Sequence, residues 1–85
     1  MWYVYCLENK SMGYLYVGYT SDLKRRLGEH NNGESKSTRS YIPLTLGTYI
    51  AVSNRQKALS LEKYFKSGSG KTILKKRILQ SEASA

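Results

Sequence analysis

Two tyrosine-rich apolar runs, Trp2-Tyr3-Val4-Tyr5-Cys6-Leu7 and Tyr14-Leu15-Tyr16-Val17-Gly18-Tyr19, flank the polar segment Glu8–Gly13. Aromatic and β-branched side chains favour extended backbone. A polar break carrying Gly13, which accepts positive φ, suits a chain reversal. The pattern predicts an antiparallel hairpin with strands over 2–7 and 14–19, the first of them suited to the centre of a sheet. Gly18 lies inside the second strand, where glycine costs stability unless backbone or ligand must approach closely. With 85 residues in all the chain makes one domain, and its small core must be efficient or be helped by a partner.

The remainder supplies a third strand and the cover. Ser21 or Asp22 can cap a helix that puts Leu23 and Leu27 on one face and ends by Asn31-Asn32-Gly33. Residues 33–42 read as a long polar loop, and Pro43 argues against strand there. Residues 44–52 read as the third strand. Ser53-x-x-Gln56 resembles a capping box, opening a helix whose Ala58, Leu61 and Phe65 form a core stripe. Ser67–Gly70 reads as a linker, and Lys71–Leu79 as a short helix with Leu74 and Ile78 inward. The expected architecture is α+β: a small three-stranded antiparallel sheet flanked by helices, in the order β-β-α-β-α-α. Residues 1–80 would form the domain and 81–85 a frayed tail.

Charge narrows the partners. Fourteen Lys and Arg against six Asp and Glu give +8, which attracts polyanions, nucleic acid foremost. The positive residues are placed in two patches. One is Lys24-Arg25-Arg26. The other runs from Lys63 to Arg77 with no acidic residue, and together they suit a binding face. Lys24, Arg25, Arg39, Lys66, Lys71, Lys75, Lys76 and Arg77 are the expected nucleic-acid contacts. The single cysteine, Cys6, excludes an intramolecular disulfide and a cysteine-built zinc site. No long apolar run indicates a membrane span, and the N-terminus does not read as a signal peptide. The expected location is the cytoplasm, with no membrane partner.

Ser67-Gly68-Ser69-Gly70-Lys71-Thr72 imitates the end of a phosphate-binding loop, but the glycine that should open it is Phe65 and the segment follows a helix instead of a strand. Nucleotide hydrolysis is set aside on that ground. Tyrosines on the hairpin have a structural use as apolar rings with polar tips, and exposed Arg26 and His30 on a basic helix are ordinary. Glu62 could simply pair with Lys66. These residues become a site only if they converge. Arginine can then hold a phosphodiester in a bidentate fork, a carboxylate can hold Mg²⁺, and tyrosine or histidine can relay a proton.

Taken in order, Tyr3-Val4-Tyr5, Tyr16-Val17-Gly18, Arg26, His30 one helical turn later, and Glu62 resemble the GIY-YIG nuclease family over roughly residues 2–78. That resemblance implies a three-stranded antiparallel sheet flanked by helices. It also implies metal-dependent hydrolysis of DNA phosphodiesters, an endonuclease activity using Mg²⁺ or Mn²⁺. Tyr16 would then serve as general base or order the water, and Tyr5 would position water or phosphate. Arg26 would stabilise the transferring phosphoryl group, His30 would assist proton transfer or orientation, and Glu62 would ligate the metal. A domain this small reads little sequence, so selection by DNA structure, a protein partner or a homodimer is expected. DNA is preferred to RNA as substrate. The alternative is a non-catalytic nucleic-acid-binding module that retains the scaffold.

Overall fold

A computed structural model describes residues 1–79. The expected tail at 81–85, and residue 80 of the expected domain, lie outside the described residues. Strand β1 spans Trp2–Asn9, β2 Tyr14–Thr20 and β3 Thr45–Val52. They form one antiparallel sheet in the order β2-β1-β3. Helix α1 runs Leu23–Asn31, α2 Arg55–Lys66 and α3 Gly68–Ile73, the last continuing as a π-helical turn over Leu74–Ile78. The expected order and fold class are those observed.

The position of β1 follows from its composition. Val4, Tyr5, Cys6 and Leu7 are all buried, which a strand achieves only when both faces of the sheet are covered. On one face Val4, Cys6 and Val17 pack with Ala58 and Phe65 of α2 and with Leu74. On the other, Tyr5 and Leu7 pack with Leu44, Leu23, Leu27 and Tyr41. Alternation along β1 sends successive residues to these two cores. The result is a sheet between two helical layers.

Several boundaries depart from the sequence reading. β1 continues through Glu8 and Asn9, because Asn9 is buried and its side chain caps a 3₁₀ turn over Lys10–Met12. Gly13 closes that turn at φ 63°. β3 begins at Thr45, and its register against β1 shifts between Cys6 and Leu7, so that Gly47 is passed over as a bulge. α2 is capped by Asn54 and not by Ser53: the Asn54 side chain accepts from the Lys57 N–H at 2.9 Å.

Ser67–Gly70 is no linker either. Ser67 caps α3, and Gly70 packs so closely on the Tyr64 carbonyl that no Cβ would fit. That contact turns the chain sharply between α2 and α3. Leu74 points inward as expected, whereas Ile78 is 40% exposed. The π turn adds a residue to the helical repeat and carries Ile78 away from the core.

The long loop at residues 33–44 is tied down along its length. Asn31 bonds the Leu44 backbone twice, accepting from its N–H at 2.7 Å and donating to its carbonyl at 3.0 Å. Tyr41 stacks on Tyr14 with ring centroids 3.6 Å apart, while Asn9 donates to the Tyr41 carbonyl at 2.8 Å. The loop thereby becomes part of the second core.

Candidate functional site

The site lies where the central strand β1 pairs with the edge strand β2, and side chains from both helical layers approach the same pair of tyrosines. Register makes Gly18 the partner of Tyr5 and Tyr16 the partner of Leu7, so Tyr5 and Tyr16 are diagonal neighbours on one face. Their ring centroids are 6.4 Å apart. Gly18 makes this geometry feasible: a Cβ there would sit 2.5 Å from Tyr5 Oη and 2.7 Å from Cζ. The glycine inside the strand is thus the space that the Tyr5 ring leans across.

α1 contributes His30 and Arg26. The Asp22 side chain caps the helix by accepting from the Arg25 N–H at 3.1 Å. One residue before the helix ends, His30 points into the protein and is 0% exposed. The ordinary reading of an exposed basic-helix histidine is therefore overturned. Its Nε2 lies 2.9 Å from Tyr5 Oη and its Nδ1 2.8 Å from Thr38 Oγ1. The Tyr16 ring packs edge-on against it at 5.2 Å. Arg26 is half-buried, with Nη1 3.0 Å from Glu29 Oε1.

α2 brings Glu62 and Lys66 from the other layer. Lys66 Nζ is 3.3 Å from Glu62 Oε2 and 5.7 Å from the centre of the Tyr16 ring. The ion pair foreseen between Glu62 and Lys66 is present, and it stands over one of the two tyrosines.

Burial and charge set the protonation states. Burial pushes the Tyr5 phenol up to about 12; the Arg26 guanidinium opposes this, while charge on Tyr16 and Glu62 adds to it. At neutral pH Tyr5 is therefore a hydrogen-bonding phenol and a poor base. His30 is held below the ordinary imidazole range, first by burial and then by the Arg26 charge. It is neutral at pH 7. Burial works to lower the Arg26 pKa, but its bonds to Glu29 and Tyr5 carry the net change upward, so the guanidinium stays charged.

The structure thus brings together Tyr5, Tyr16, Arg26, His30, Glu62 and Lys66. The other expected nucleic-acid contacts are dispersed. Lys24 borders a concavity with Tyr3, Leu27 and Tyr49, at the end of the sheet where Tyr3 pairs with Thr20. Lys75 borders another with Lys10 and Gly13, at the hairpin end. Six residues along the strand separate these ends, about 20 Å. Arg25 is exposed and lies 3.9 Å from both Asp22 and Glu29. Arg39 sits in the exposed 3₁₀ turn Arg39–Tyr41, and Lys71, Lys76 and Arg77 are exposed on α3 and the π turn. Thr38 escaped the sequence reading, since a threonine in a polar loop carries no signal. Only the fold shows that it meets His30.

Among the described residues no three His, Cys, Asp or Glu side chains gather as a ready-made metal cage. Mg²⁺ and Mn²⁺ make a smaller demand, because such ions keep several waters and bind through one or two carboxylates together with substrate phosphates. Glu62, with its side chain 14% exposed beside the tyrosine pair, suits that single-carboxylate arrangement.

Comparisons with known proteins bear on the chain's family. The family model for the GIY-YIG catalytic domain matches residues 1–77. The UPF0213 protein SAG0778 of Streptococcus agalactiae is 46% identical over 65 residues, covering 75% of this chain and 73% of that one. The UPF0213 protein SpyM50708 of Streptococcus pyogenes is 43% identical over 65 residues, with 75% and 70% covered. The solution NMR structure of the UPF0213 protein BH0048 from Bacillus halodurans is 37% identical, covers 87% of this chain and 82% of that one, and superposes with a TM-score of 0.53.

Proposed function

Because the chain belongs to the GIY-YIG catalytic-domain family, we propose that it is a nucleic-acid-binding module that seats a backbone phosphate at the edge of β2, between Arg26 and Lys66. The observation that carries this reading is the convergence of two cations from opposite helical layers on one tyrosine pair, Arg26 bonding Tyr5 and Lys66 standing over the Tyr16 ring. Arginine offers a planar fork of donors to a phosphate, and lysine a point charge. The chain's net charge of +8 supplies attraction at longer range. Labelled DNA and matched RNA, titrated with protein at several salt concentrations, test it. Binding should weaken steeply as salt rises, and Arg26→Ala with Lys66→Ala should weaken it further. Absence of salt-sensitive binding to either polymer would overturn the proposal.

One observation favours a second reading in which the module also hydrolyses DNA phosphodiesters. Glu62 is close enough to the centre for its charge to be felt at Tyr5, so a carboxylate and a phosphate-binding arginine serve the same place. With Mg²⁺ or Mn²⁺ held by Glu62, the ion would supply Lewis-acid polarisation of the phosphoryl oxygens. The chain's own residues have separable tasks. Arg26 steadies charge gathering on non-bridging oxygens. Tyr5, remaining protonated, donates a hydrogen bond and takes no proton. His30, fully buried, orients Tyr5 and does not itself touch substrate. Tyr16 is left as the group to accept a proton from water or to order it.

This reading predicts defined cleavage products that require both metal and Glu62. A panel of single-stranded, duplex, nicked, flapped and four-way DNA, run with Mg²⁺, Mn²⁺ or EDTA, decides it. Binding without cleavage on every substrate would leave the first reading standing and remove the second. Dependence on homodimerisation for selectivity would show in the same panel as products gained at higher protein concentration.

A further inference from the structure

The line Thr38–His30–Tyr5 contains three groups, two contacts and, with a neutral imidazole, three hydrogens to place. Each outer hydroxyl carries one hydrogen, and the ring carries one on either Nδ1 or Nε2. Two of the three fill the contacts at 2.8 and 2.9 Å. The third is left over, at one end of the line or the other.

The two ends differ. Thr38 is 0% exposed, and among the described residues its hydroxyl has no hydrogen-bond partner except His30. If the ring donated from Nδ1, the threonine hydrogen would be buried without an acceptor, which is unfavourable. Tyr5 ends beside Arg26, which carries hydrogens only and offers no acceptor, on the edge strand where Tyr16 and Lys66 meet. Tyr5 is itself only 2% exposed, but half-exposed Tyr16 and Lys66 border its end of the line, so a ligand that displaces them can take a hydrogen left over there.

We infer that Thr38 is a positioning residue: its hydroxyl donates to His30 Nδ1, holds the ring as the Nε2–H tautomer, and so leaves the Tyr5 O–H unspent as a donor over Gly18 of the edge strand. His30 donates from Nε2 to the Tyr5 oxygen. The phenol then accepts from the protein and donates to an oxygen of the bound phosphodiester; this last step rests on the binding function proposed above, while the tautomer does not. A residue far in sequence from both tyrosines thereby sets the polarity of the centre.

The test uses the whole chain in solution. Long-range ¹H–¹⁵N correlation of the His30 ring at neutral pH distinguishes a protonated from an unprotonated nitrogen without any activity assay. The expected result is protonation at Nε2. Thr38→Val removes the hydroxyl at nearly constant shape and should shift the tautomer population away from that of the wild type, whereas Thr38→Ser should restore it. In parallel, affinity for a short DNA oligonucleotide should drop several-fold in Thr38→Val and recover in Thr38→Ser. Wild-type His30 protonated at Nδ1 would overturn the inference, as would an unchanged tautomer in folded Thr38→Val. If the wild type binds no oligonucleotide while the tautomer responds as expected, the proposed function fails and the positioning role of Thr38 stands.

Discussion

Gly18 and His30 show how much of the centre depends on what single residues omit. At Gly18 the missing atom is a Cβ, and the Tyr5 hydroxyl occupies the space. Because Tyr5 is hemmed in by His30 and Tyr16, it cannot move aside cheaply. Gly18→Ala should therefore destabilise the fold by about 1–3 kcal/mol, the usual cost of overpacking, measurable by urea denaturation. At His30 the missing feature is charge. Its folded-state pKa lies below the ordinary value of about 6.5, so the unfolded chain takes up a proton first as pH falls. The stability linked to His30 is present in full above about pH 6.5 and is lost as pH falls from there through the folded-state value. Denaturation midpoints should fall on acidification through that window, and His30→Gln should flatten the dependence. An equal slope in both proteins would assign the acid loss to other groups.

Among the elements, the strands and the first two helices are legible because their signals are local, whereas the start of α3 reads as a linker. The unbroken run from Val4 to Leu7 marks a strand covered on both faces, and Ala58, Leu61 and Phe65 mark the buried stripe of α2. The cap of α2 was misread by one residue, since Ser53 and Asn54 are both good caps and the choice rests on backbone geometry. Asn54→Ala should cost about 1 kcal/mol, a fall in Tm of roughly 4–8 °C for a domain of this size, while Ser53→Ala should change little. The path of the 33–44 loop was not legible at all. Its anchors, Asn31 on Leu44, Tyr41 on Tyr14 and Thr38 on His30, join residues that are distant or unpatterned in sequence. For the same reason the tyrosines, Arg26 and Glu62 could be picked out by order and spacing, whereas the threonine behind them could not.

For the molecule as a whole, +8 of charge gives attraction and its placement gives division of labour. Arg26 and Lys66 stand at the tyrosine pair. Lys75, Lys76 and Arg77 lie on the exposed π turn, with Lys75 near the hairpin end. A strand of nucleic acid crossing the centre would meet the π turn as a peripheral hold that neutralises phosphate without shaping it. Each such contact releases condensed counterions and contributes about 0.9 to the slope of log affinity against log salt for duplex DNA. Replacing Lys75, Lys76 and Arg77 together by alanine should thus make that slope shallower by up to about 2.7 and weaken binding on every sequence alike. Arg26→Ala should change the slope by no more than about one contact's worth. On the hydrolytic reading, its larger effect would fall on cleavage at saturating substrate, because a guanidinium aimed at the phosphoryl oxygens acts most where charge develops. Salt titrations of binding, set beside single-turnover rates, separate the two variants. Identical, purely affinity-based losses in both would mean that Arg26 serves as one more peripheral hold.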